Sequence, residues 1–186
     1  MPNLPDLSRP DAVLAVVRSG HAETSWPEGL LSRSHFVSTD DDTRITYEQW
    51  ATENVDVGPD AIAYRLVRSE ADPARIPGCI VFIDLETDGA ETASAWIDSV
   101  FDALHGDEDP HPGGISAYFH LSLDGKRVLN YAGWTDAEAH RKAVEDPGAP
   151  GVARIETPEW HKVLNTPGVR PLGFKRYRLH RSVDVG

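Results

Sequence analysis

One window of this chain occurs twice, and that repetition limits its architecture more than any single residue does. Val37–Trp50 aligns without a gap on Leu121–Trp134, fourteen positions displaced by 84 residues. Ser38/Ser122, Asp40/Asp124, Tyr47/Tyr131 and Trp50/Trp134 are identical, and Val37/Leu121 and Ile45/Leu129 stay apolar. Each copy has an Asp-containing polar centre between apolar and aromatic runs, the pattern of a strand, a turn and a second strand. The copies differ in chemistry. His120 and Asn130 of the second stand where the first has Phe36 and Thr46.

The flanking sequence extends each hairpin into a larger unit. Behind a Pro-rich arm over 1–10, Ala12–Val17 is fit for a buried strand, and Gly20–Leu31 leaves room for only a short helix. The first hairpin turns over Asp40–Asp41–Asp42, which we read as a solvated turn rather than a metal site, and Ala61–Val67 is a further strand. A loop with Pro73 and Pro77 then separates a first unit, 1–76, from a second, 77–186. In the second, Cys79–Leu85 is an apolar strand, and Ala90–His105 places Ala93, Trp96, Ile97, Val100, Phe101 and Leu104 on one helical face. The hairpin Ile115–Trp134 follows. Thr135 with Glu138 has capping-box spacing for a helix ending near Pro147–Gly148. Thr157–Pro158 opens another helix, with Trp160, Val163 and Leu164 as its buried stripe, and Leu172–His180 is a last strand. Strand, helix, strand, strand, helix, strand is a split βαβ, or ferredoxin-like, unit. The predicted fold is α+β: two such repeats forming a pseudo-dimeric α+β barrel within one chain, the first with reduced helices.

Charge and composition exclude several functions. A net charge of −12 opposes binding to nucleic acid or an anionic membrane surface. No apolar stretch approaches the length of a membrane span, and the N-terminus lacks a signal-peptide pattern, so a cytoplasmic protein is expected. The single cysteine, Cys79, begins an apolar run without an adjacent base and reads as a buried strand thiol rather than a nucleophile. His105, His111, His140 and His161 read as exposed or helix-surface residues without metal-ligand spacing.

The turn of the second hairpin decides which side chains share a face. A two-residue loop at Asp124–Gly125 sets Leu121 opposite Val128 and Phe119 opposite Asn130, placing His120 and Asn130 on opposite faces. A three-residue loop, Leu123–Asp124–Gly125, with Gly125 left-handed, sets Tyr118 opposite Asn130 and His120 opposite Val128. The second register separates an apolar face (Ile115, Ala117, Phe119, Leu121, Leu129, Tyr131) from a polar one (Ser116, Tyr118, His120, Asn130, Trp134). It is the register expected, and its polar face, under the helices, describes a pocket with convergent hydrogen-bonding groups.

On these residues the second unit resembles the antibiotic biosynthesis monooxygenase family, small dimeric α+β-barrel proteins, over about 79–180. The hairpin and the following helix, with Tyr131, Trp134, Asp136, Glu138, Ala139 and His140, carry the similarity. Within that family, cofactor-free oxygenases that turn polyketide anthrones into quinones use an Asn four residues before a Trp on this strand, the spacing of Asn130 and Trp134. A pocket histidine on the preceding strand is matched by His120, and a tyrosine of the next helix is replaced by His140. The resemblance implies Asn130, Trp134 and His120 as catalytic residues, with Tyr118, His140, Trp96 and Trp160 lining the substrate. It implies no cofactor and no metal, O2 as co-substrate, a small aromatic substrate as partner, and a homodimer as one assembly open to the chain. Such chemistry needs little from the protein. An electron-rich phenolic substrate that loses a proton can itself reduce O2, given hydrogen-bond donors or a base in an apolar pocket. Haem degradation, known for relatives with this fold, calls for a histidine where Val144 stands and an Asn that the Cys79–Leu85 strand does not supply. A non-catalytic ligand-binding or scaffold protein, and a cyclase or isomerase, remain as alternatives. A helix-poor first unit exposes a sheet face that the N-terminal arm or another chain must cover.

Overall fold

The computed structural model describes residues 4–20, 25–107, 111–145 and 157–185. Eight strands form a closed antiparallel barrel: β1 (Leu14–Ser19), β2 (Leu30–Ser38), β3 (Arg44–Trp50), β4 (Ala61–Ala71), β5 (Cys79–Thr87), β6 (Gly114–Ser122), β7 (Arg127–Trp134) and β8 (Val169–Asp184). Three helices flank it: α1 (Ala90–His105), α2 (Ala137–Glu145) and α3 (Pro158–Leu164). Around the barrel the order is β1-β3-β2-β8-β5-β7-β6-β4, closed by pairing of β4 with β1. Closure leaves none of the eight strands as a free sheet edge.

Both hairpins of the doubled window form, and in matching register. Phe36 pairs with Ile45 and Ser34 with Tyr47; His120 pairs with Leu129 and Tyr118 with Tyr131, each partner shifted by the same 84 residues. The shared serine works in both turns. The Ser38 hydroxyl accepts the amides of Asp40 and Asp41, and that of Ser122 accepts the amide of Arg127 and donates to Asp124.

Alternation sends one residue set into the barrel and the other outward. Inside lie Phe36, Tyr47, Tyr64, Phe82, Leu129, Tyr131 and Tyr177, an aromatic core with rings meeting edge-on or tilted. Outside, on the second half, α1 buries Ala93, Trp96, Ile97, Val100 and Phe101 against Leu85, Phe119 and Val128. Fully burying each large side chain contributes about 1.5–3 kcal/mol, which is how an exposed-prone 16-residue helix is held on the sheet.

The first half carries no helix among its described residues. Its outer face is covered by the chain after β3, with Val55 and Val57 packing on Leu14, Val16, Leu30 and Trp50. The N-terminal arm goes elsewhere: Leu4 and Leu7 pack into one end of the barrel, and the Asp6 carbonyl accepts a bond from the Gln49 amide at 2.8 Å. The helix before Pro147–Gly148 is capped by Asp136, whose carboxylate accepts the Ala139 amide at 2.8 Å, rather than by Thr135. Its expected end lies outside the described residues. Thr157 caps α3 as expected, but of the expected stripe only Val163 is buried, Trp160 is half-buried and Leu164 is exposed.

Candidate functional site

The hairpin β6–β7 adopts the register that was not expected. Leu121 pairs with Val128, His120 with Leu129 and Phe119 with Asn130. The turn residue was read correctly, since Gly125 has φ +72° and donates its amide to the Ser122 carbonyl at 2.9 Å. The loop is one residue longer, however. The Asp124 carboxylate captures the Lys126 amide, and the Lys126 carbonyl accepts the Thr87 amide of β5, so the ladder resumes only at Arg127. One residue of slip exchanges the faces.

His120 and Tyr118 therefore point into the barrel, not under the helices. His120 is fully buried; its Nδ1–H donates to the Tyr118 carbonyl at 2.9 Å and its Nε2 accepts from the Tyr47 hydroxyl at 3.0 Å. Burial pushes this imidazole down to about 4 from 6.5 and keeps it neutral. With both nitrogens committed, it has none left for a ligand on the helix side. Conversely, Ala117, Phe119 and Leu121, expected in the inter-sheet core, pack beneath α1.

Five of the seven expected site residues lie on the helix side, in two groups: Asn130 beside the cluster of Trp96 and Trp160, and Trp134 with His140 in an adjoining one. Asn130 and Trp134 share the outward face of β7. The cross-strand neighbours of Asn130 are Phe119 and Ile83, and both pack in the cluster that holds Trp96 and Trp160. Trp96 is structurally committed, its indole N–H donating to the Val163 carbonyl of α3 at 3.1 Å. Two polar atoms in this layer are buried with no hydrogen-bond partner, the Asn130 carboxamide oxygen and the Trp160 indole nitrogen. A buried acceptor and a buried donor left open cost about 1–3 kcal/mol each and call for an explanation.

Trp134 closes one side of this layer, with its ring edge-on to His140 at 4.9 Å between centroids and tilted against His111 at 5.5 Å. His140, expected on the helix surface, is 2% exposed. Its Nδ1 accepts from Arg176 Nε at 3.0 Å, and Arg176 continues to Glu145 at 2.5 Å. Burial first, then the neighbouring Arg176 cation, lower this imidazole to about 4, so the neutral ring keeps its proton on Nε2. The Arg176 link was not legible in sequence because it joins β8 to α2 with no local signature.

No protein-family model matches the chain, and no curated protein does. Solved structures do. An anthrone oxidase-like protein superposes with TM-score 0.68 at 13% identity, over 95% of each chain. A ferredoxin-fold protein from Listeria monocytogenes, related to antibiotic biosynthesis monooxygenases, gives 0.54 at 12% identity, over 90% of this chain and 95% of that one. A haem-degrading enzyme from Listeria monocytogenes gives 0.51 at 12% identity, over 89% and 98%. This chain has the antibiotic biosynthesis monooxygenase-like fold. These three likenesses run over nearly the whole of each chain.

Within this monooxygenase-like fold, the first half uses its outer face differently. Trp50 occupies the place of Trp134, but its indole N–H meets Glu48 at 3.3 Å, and Glu48 also accepts Arg33 at 2.7 Å and Arg18 at 3.1 Å. Thr46, in the place of Asn130, donates to the Gly20 carbonyl. Cys79 lies buried as expected, with burial pushing its thiol up to about 11. Among the described residues no helix is long and apolar enough to cross a membrane.

Proposed function

We propose that this protein is a cofactor-independent monooxygenase that oxidises an electron-rich aromatic substrate, an anthrone or quinol, with O2 to a quinone. The observation that carries the reading is the open acceptor and open donor in one apolar layer, Asn130 Oδ1 and Trp160 Nε1. A hydroxylated aromatic ketone offers the complementary pair, a hydroxyl to donate and a carbonyl to accept. The anthrone oxidase-like neighbour agrees with this substrate class.

The reaction needs no external reductant. Loss of a proton to solvent, from an anthrone CH2 or a quinol O–H, leaves an enolate or phenolate. One electron passes to O2, the radical pair combines to a peroxide, and loss of water leaves the new carbonyl. One oxygen atom ends in the quinone and the other in water. The chain's part is to hold the oxyanion by the Trp160 and Trp134 indole N–H groups, to accept a substrate hydroxyl at Asn130 Oδ1, and to keep water out. His120 has no part in this version of the site. His140, its Nδ1 held by Arg176, positions Trp134 rather than acting as a base. Residues 1–76 then form a degenerate copy that completes the barrel of the working copy, 77–186, in an intrachain pseudo-dimer.

Oxygen uptake with anthrone and naphthohydroquinone, and 18O2 incorporation into the product, test the reading. Asn130→Ala and Trp160→Phe should each lower kcat/KM at least tenfold, equivalent to about 1.4 kcal/mol of lost transition-state stabilisation. Full turnover in both variants would sink the assignment.

A further inference from the structure

The barrel interior is not filled from end to end. Where β4 and β7 begin and β1 ends, its wall surrounds a cavity of about 610 Å3. The rings of Tyr64, Phe82 and Tyr177, with Val17, Ile62 and Leu129, form the apolar part of that wall. Asp84 lies two residues beyond Phe82 on β5, and Arg127 two before Leu129 on β7, so alternation turns both side chains to the same inner face. Both line the cavity, with side chains 38% and 30% exposed. The two charges are neighbours that do not bond. Arg127 Nη2 stands 3.8 Å from Asp84 Oδ1, and Nη1 3.6 Å from Glu86 Oε1, both beyond hydrogen-bond range. The other cation on the wall, Lys175, is committed, its ammonium donating to Asp41 and Thr43 at 2.7 Å each. The other carboxylate there, Asp60, belongs to an exposed residue.

We propose that this cavity is a second ligand site, inside the barrel end, for a small zwitterion: an α-amino acid with an aromatic or large apolar side chain. Arg127 takes its carboxylate, Asp84 its ammonium, and the aromatic wall its side chain. Three features select that class. A neighbouring cation and anion that leave each other's hydrogen-bonding groups open are matched by a ligand of zero net charge that carries both signs one carbon apart. Arg127 offers the planar fork that carboxylates bind. Burial raises the Asp84 carboxyl above its ordinary range against the opposing effect of Arg127, so positive charge is short beside Asp84 and an ammonium supplies it. Both charges also act on the Tyr64 hydroxyl, which places that ring beside them and joins the polar pair to an apolar wall suited to an aromatic body. Gly173, the β8 partner of Asp84, brings no side chain to the site, and nothing lies within 4 Å of where a Cβ would stand.

The site is tested by titrating the full chain with phenylalanine, with 3-phenylpropanoate, which lacks the ammonium, and with phenethylamine, which lacks the carboxylate. Heats of binding and backbone amide signals are followed. The expected result is saturable binding of phenylalanine at least tenfold tighter than either analogue, with shifts concentrated at 61–64, 127–129 and 172–177. Asp84→Asn should weaken phenylalanine at least tenfold and leave 3-phenylpropanoate no weaker. Arg127→Gln should do the same to phenylalanine and leave phenethylamine no weaker, so the retained analogue shows in each case that the fold is intact. Asn130→Ala, on the outward face of β7, should leave all three affinities unchanged. Equal affinity for phenylalanine and either analogue, unchanged phenylalanine affinity in Asp84→Asn or Arg127→Gln, a loss in Asn130→Ala, or non-saturable heats would each overturn the proposal. Retained phenylalanine binding with no oxygenase turnover would overturn only the function proposed above.

Discussion

The pair Tyr47–His120 gives the chain a calculable sensitivity to acid. In the unfolded chain the imidazole takes up a proton below about 6.5, whereas in the barrel it resists until about 4. The folded value is the depressed one. Stability is therefore undiminished above pH 6.5 and is lost as the pH falls towards 4, because only the unfolded state gains the proton in that window. Between pH 7 and pH 5 the loss from this one residue is about 2 kcal/mol, since each unit of separation is worth about 1.4 kcal/mol.

The first half supplies the control. Phe36 occupies the place of His120 in the matching hairpin, so a phenyl ring suits that position. His120→Phe alone strands the Tyr47 hydroxyl, at a cost of about 1–3 kcal/mol, whereas the double variant Tyr47→Phe/His120→Phe removes donor and acceptor together. Urea unfolding of wild type and double variant at pH 7 and pH 5 should show wild type losing about 2 kcal/mol more across that interval. His140 and the carboxylates titrate alike in both proteins and cancel in the difference. Equal losses in the two proteins would refute the assignment of His120 as a buried neutral imidazole.

Glu48→Ala removes the carboxylate between Arg18 and Arg33, with side chains 24% and 8% exposed, and should destabilise by about 3–5 kcal/mol in thermal unfolding. Glu48→Gln, keeping shape and an acceptor, should cost less. Gly125→Ala places a Cβ 2.8 Å from that of Ala90 at φ +72°, and should cost about 1–3 kcal/mol by urea titration, with the start of α1 losing amide protection first. Cys79, buried and with its thiol pushed up to about 11, should react with a thiol-specific disulfide reagent at pH 8 at least a hundredfold more slowly in the folded protein than in urea.

Local patterning was enough where the deciding contacts are local. The stripe from Ala93 to Phe101 placed α1 at its observed bounds, Ala90–His105, because i, i+3, i+4 spacing leaves little freedom in which face is buried. Gly125 was legible as left-handed for the same reason. The register was not legible, because it hangs on Lys126, whose carbonyl is claimed by Thr87 from another strand. The same non-locality hid His140, which sits under Arg176 of β8, and lengthened β8 to Val169–Asp184, since it must pair with both β2 and β5. A pattern of alternating residues reports that a strand has two faces. Which face is inside depends on partners far along the chain.

That distinction relocates the chemistry of the doubled window. Of the two unshared polar residues, His120 is explained inside the barrel: it fills the position equivalent to Phe36 and satisfies Tyr47, a tyrosine of the first copy. Asn130 has no such explanation. On the first half, the equivalent outer face satisfies its polar groups internally, with Thr46 on the Gly20 carbonyl and Trp50, Arg18 and Arg33 all converging on Glu48. On the second half, Ala132 stands where Glu48 would be, and the Asn130 oxygen and Trp160 nitrogen stay open in a layer that is otherwise apolar. Buried polar atoms are kept unpaired only at a cost in stability, and the second half carries that cost on a face where the first half avoids it.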